Sequence, residues 1–108
     1  MLSFSDVDKY LVKNGANSSR LSEAGLVKYD YDGENAAFIN SETEPLQLSV
    51  RCNKELGRHL SAKYESVMPG HKLDPSKWIT LIASGQLNDE EVYDLINHAI
   101  SLAKNNDA

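Results

Sequence analysis

From Leu26 onward the apolar residues of this chain recur at every second position, and that period limits the fold more than any other feature. Val27, Tyr29 and Tyr31 alternate with Lys28, Asp30 and Asp32, and Asp32-Gly33 then supplies the chemistry of a tight hairpin turn. Ala36 to Ile39 returns as a second strand, and Asn40 to Pro45 is a polar turn. Leu46, Leu48, Val50 and Cys52 then alternate with Gln47, Ser49 and Arg51 in a third strand. Three consecutive strands with short links predict an antiparallel meander, one face buried and the other partly wet.

Helical spacing flanks this block. Ser3 with Asp6 three residues on forms a capping box, Leu2 and Val7 are placed as a hydrophobic staple, and Val7, Tyr10 and Leu11 continue one stripe up to a stop at Asn14-Gly15. Ala16 to Ala24 is polar and reads as either a short helix or a turn. Asn53 caps a second helix with Leu56, Leu60 and Tyr64 on its buried side, and Met68-Pro69-Gly70 ends that unit. His71 to Leu73 reads as a short extended piece and Trp78 to Ile82 as a strand, broken by Gly85. Asn88 caps the third helix, with Glu91 completing the box and Val92, Leu95, Ile96, Ala99, Ile100 and Ala103 as its packing stripe. The order α-β-β-β-α-β-β-α predicts an α+β fold: a two-layer α/β domain whose antiparallel five-stranded sheet is backed by helices. Residues 1–108 are expected to form a single domain, frayed only over 104–108.

With 108 residues, 41% of them apolar, the chain can build one core without disulfides or metal. Cys52 is the sole cysteine, which excludes an intramolecular disulfide and a thiolate-cluster metal site. No apolar run reaches the roughly 18–20 residues of a membrane span, and the N-terminus lacks the pattern of a secretory signal, so a cytoplasmic protein without membrane association is expected. The net charge is −5, yet residues 50–80 reverse the balance: Arg51, Lys54, Arg58, Lys63, Lys72 and Lys77 stand against Glu55, Glu65 and Asp74. An acidic average disfavours a large nucleic-acid footprint but leaves room for a local patch.

Several short pieces occur together in order: Leu48-Ser49-Val50-Arg51-Cys52-Asn53, then Pro69-Gly70-His71-Lys72-Leu73, then Trp78-Ile79-Thr80 with Gly85. The start of the third helix at Asp89-Glu90-Glu91 and Leu95-Ile96-Asn97-His98-Ala99 complete the set. Over these roughly sixty residues the chain resembles the MmcQ/YjbR family, while residues 1–25 fit that family poorly. The resemblance implies a two-layer α/β domain with an antiparallel sheet, and a DNA-binding role.

For nucleic acid, the expected phosphate contacts are Arg51, Lys54, Arg58, Lys72 and Lys77, with His71 beside them; Lys54 and Arg58 share one helix face. On the opposing reading these residues form an ordinary solvated surface. Trp78 either stacks on a base or fills the core where its strand crosses the helices. Gly70 lets the chain turn sharply after Pro69, and Cys52 continues a buried alternation as an inert thiol. His59, His71 and His98 have no metal spacing, and neither a phosphate-cradling glycine loop nor a nucleophile elbow is present. The expectation is therefore a non-enzymatic protein without cofactor or metal that binds double-stranded DNA. The alternative is a protein-interaction module that takes a partner peptide, or self-associates, through a sheet edge or groove.

Overall fold

Each helix begins where a side chain can satisfy backbone N–H groups that lack a helical partner. In the computed structural model, which describes residues 2–21, 25–70 and 73–105, helix α1 (Phe4–Lys13) opens on the reciprocal Ser3–Asp6 box and closes at Asn14. Helix α2 (Lys54–Lys63) starts where the Asn53 side chain accepts the Leu56 N–H at 2.8 Å. Helix α3 (Asp89–Lys104) opens on the reciprocal Asn88–Glu91 box and ends at Asn105.

The strands are β1 (Asn17–Arg20), β2 (Leu26–Tyr31), β3 (Glu34–Asn40), β4 (Gln47–Arg51), β5 (Val67–Pro69) and β6 (Trp78–Ile82). They form one antiparallel sheet in the order β1-β2-β3-β4-β6-β5. The turn between β2 and β3 places Asp32 at φ 51° and Gly33 at φ 86°, the paired positive values that let a two-residue hairpin follow the strand twist.

One expectation is corrected. The sheet has six strands, not five, because Asn17–Arg20 pairs with β2 where a short helix or turn was expected. All four of its residues are exposed, so backbone pairing alone holds it and no apolar alternation announces it. A short strand lies at Val67–Pro69, and the extended piece expected at His71 to Leu73 falls largely outside the described residues.

Register explains the core. Val27, Ile39, Leu48, Leu81 and Val67 stand opposite one another in a single row across five strands. Beside it Tyr29, Ala37, Val50 and Ile79 form a second row. These rows are buried together with Val7 and Leu11 of α1 and the whole expected stripe of α3. The Tyr29 hydroxyl donates to Asp8 Oδ1 at 2.7 Å, and the Tyr10 hydroxyl donates to Asn97, tying α1 to the sheet and to α3. In α2 the fully buried residue is Gly57, whereas Leu56, Leu60 and Tyr64 are only half-buried. A Cβ at Gly57 would stand 3.0 Å from Ile79 Cγ2. The helix backbone therefore rests directly on β6, and its leucines flank the contact rather than fill it.

All three helices cover one face of the sheet. The opposite face carries the row Ser19, Lys28, Phe38, Ser49, Thr80 and Met68. No helix among the described residues is long and apolar enough to cross a membrane.

Candidate nucleic-acid interface and the helix groove

The end of the sheet where β4 runs into α2 gathers part of the basic set. Arg51 pairs across strands with Trp78, and the Cys52 N–H donates to the Lys77 carbonyl at 2.8 Å. Lys54, the first residue of α2, follows two positions later. Arg51, Lys54 and Lys77 are thus brought to one end of the sheet from positions up to 26 residues apart. Arg58 stands a turn further along α2, exposed, where it lines a shallow depression with Glu55, His59 and Ala62. His71 and Lys72 lie outside the described residues.

The basic residues do not share a face. Ile79 points under α2, so its neighbour Trp78 points to the opposite side of the sheet, and Arg51 goes with it. The Arg51 guanidinium sits 5.9 Å from the centre of the Trp78 ring, and its Nη1 donates to the Asn35 carbonyl at 3.4 Å. Lys54 and Arg58 belong to the helix layer on the other side.

Trp78 is buried, but away from the helices rather than where its strand crosses them. It is outside the helix-side core, and on the uncovered face it is only 8% exposed. Phe38 meets its ring at 5.4 Å between centroids, Arg51 lies over it, and Gly70 packs against the Trp78 Cβ and backbone. A ring so enclosed cannot stack on a base. This contact requires a glycine at position 70: its N–H donates to the Trp78 carbonyl at 3.0 Å, and a Cβ would stand 2.8 Å from Trp78 Cβ. Phe38 escaped notice in the sequence because it interrupts the burial of β3, between Ala37 and Ile39.

Cys52 is buried, and burial pushes its thiol up to about 11, which keeps it protonated at neutral pH. No group of three or more His, Cys, Asp or Glu residues among those described could hold a metal ion. His98 is half-buried, and its Nε2 accepts the Asn53 N–H at 3.3 Å.

Burial holds the His98 imidazole below its usual range. The unfolded chain therefore binds the extra proton first, and stability falls as pH drops from about 6.5 toward the folded value. The melting temperature of the native chain is expected to be lower at pH 5 than at pH 7.5. His98→Gln, which keeps an acceptor for Asn53, should flatten that difference, whereas equal slopes in the two proteins would remove His98 as its source.

A second concavity lies between α2 and α3. Leu56 and Leu60 form one wall, Leu87 and Leu95 the floor, and Glu91, Asp94 and His98 the far rim, around a volume of about 280 Å³. Their spacing puts Leu56 and Leu60 on the buried side of the helix; only the close approach at Gly57 reveals that they are left at a groove.

The fold is a helix-backed antiparallel α+β domain, and solved structures of the same kind exist. The chain is similar to Deinococcus radiodurans protein DR2400, which carries a DUF419 domain, the YjbR/MmcQ-like fold: 20% identity, TM-score 0.83, with 100% of this chain and 83% of that one covered. It is also similar to a Pseudomonas syringae protein at 17% identity and TM-score 0.78, with 95% of this chain and 99% of that one covered. No family model matches the sequence, and no curated protein matches it either.

Proposed function

We propose that this chain is a divergent MmcQ/YjbR-type domain that binds the phosphate backbone of nucleic acid without catalysing a reaction. The observation that carries the reading is the convergence of Arg51, Lys54 and Lys77 on one end of the sheet. No ion pair holds any of the three among the described residues, although Arg51 lies over Trp78 and Asp74 acts on Lys77 electrostatically. Lys54 also stands in the first turn of α2, where the helix dipole favours an anion. Such contacts give affinity with little sequence choice. Because Arg51 is on one side of the sheet and α2 on the other, a duplex would be gripped at the edge between the two layers rather than on a flat face.

The test is fluorescence anisotropy with a labelled duplex between about 20 and 200 mM salt. Lys54→Ala and Lys77→Ala should each weaken binding about three- to tenfold at low salt and reduce the salt slope by about one. Arg58→Ala, a turn away from the cluster, should matter less. Absence of binding at the lowest salt, where attraction is strongest, would dispose of the reading.

A further inference from the structure

We propose that the groove between α2 and α3 docks an amphipathic helical segment of a partner protein, one with leucine-like residues on one face and lysine or arginine beside them. The apolar half of the argument is geometric. Leu56 and Leu60 lie one helical turn apart, half-buried, opposite the floor formed by Leu87 and Leu95. The opposite rim runs from Glu91 through Asp94 to His98, seven steps along one helix, or about 10 Å at the helical rise. That length matches two turns of a guest helix presenting residues at i, i+3 or i+4, and i+7.

The electrostatic half identifies the guest. Glu91 accepts the Asn88 N–H at 3.0 Å and the Tyr64 hydroxyl at 3.4 Å, but neither it nor Asp94 is neutralised by an ion pair among the described residues. Glu90, exposed but outside the groove lining, adds negative charge at the start of α3. Positive residues flanking the guest's apolar stripe complement this rim. Two copies of the chain meeting symmetrically through the groove would set like-charged rims together, and a nucleic acid would meet carboxylates. The groove is therefore suited to a different ligand from the basic end of the sheet, which it meets where His98 accepts the Asn53 N–H beside Lys54.

The probe is a labelled sixteen-residue helical peptide with leucines at i, i+4 and i+7 flanked by lysines, titrated against the full chain by anisotropy and amide-shift mapping. Shifts should concentrate on residues 56–60 and 87–98. Leu60→Ser should weaken binding about tenfold, and Asp94→Lys about fivefold at low salt; circular dichroism confirms that each variant is folded. The same peptide with glutamates in place of lysines should bind at least fivefold more weakly. Equal binding of both peptides, shifts on the uncovered sheet face, or no binding at about 1 mM peptide would overturn the proposal. Self-association of the chain that Leu60→Ser abolishes would overturn it too, by giving the groove to a second copy.

Discussion

Leu48→Ala is expected to destabilise the chain by about 3 kcal/mol, lowering the melting temperature by roughly 15 °C. Leu48 is 1% exposed and sits in the middle of the longest cross-sheet row, between Ile39 and Leu81, on the face that the helices cover. Its neighbours are held by backbone pairing on both sides, so they cannot close over the missing carbons, and the cavity cost adds to the lost transfer energy. Chemical denaturation of the two proteins measures the difference. A loss below about 1 kcal/mol would mean that this row is not the packed centre of the fold.

Trp78→Ala should be nearly as costly, about 3 kcal/mol, although its ring lies on the face without helices. The ring meets Phe38 and Arg51 and is almost fully buried. Trp78→Phe should recover more than half of that loss by keeping the contact with Phe38. In either variant the folded molecules should bind duplex within about threefold of the native chain, since the contacts proposed for Lys54 and Lys77 do not involve the ring. A stable Trp78→Ala protein with greatly reduced nucleic-acid affinity would give the ring the stacking role that its burial argues against.

The parts of the fold written in local chemistry were legible in the sequence. Ser3 with Asp6, Asn53, and Asn88 with Glu91 mark helix starts because a cap needs only residues within one turn of each other. Asp32-Gly33 marks its hairpin for the same reason. Asn17–Arg20 was illegible because its place in the sheet depends on the exposed backbone of β2, and no side chain of its own is buried.

The site was legible only in part. The types and positions of the basic residues could be read directly, but their grouping depends on the pairing of β4 with β6, which joins residues far apart in the chain. That pairing sends Arg51 to one side of the sheet while α2 covers the other. The groove had no sequence signal of its own: Leu56 and Leu60 carry the spacing of core residues, and a single glycine decides that they flank the contact.

The two borders of the sheet differ in what they permit. β5 is three residues long and ends in Pro69, which has no N–H to offer a further strand. β1 bonds β2 on one side and leaves its other side uncapped by proline, with polar residues throughout. Growth of the sheet is therefore one-sided: two copies joined β1 to β1 would have β5 at both outer limits, and the array would stop there. A chain built this way can pair through its strands without polymerising into a fibre.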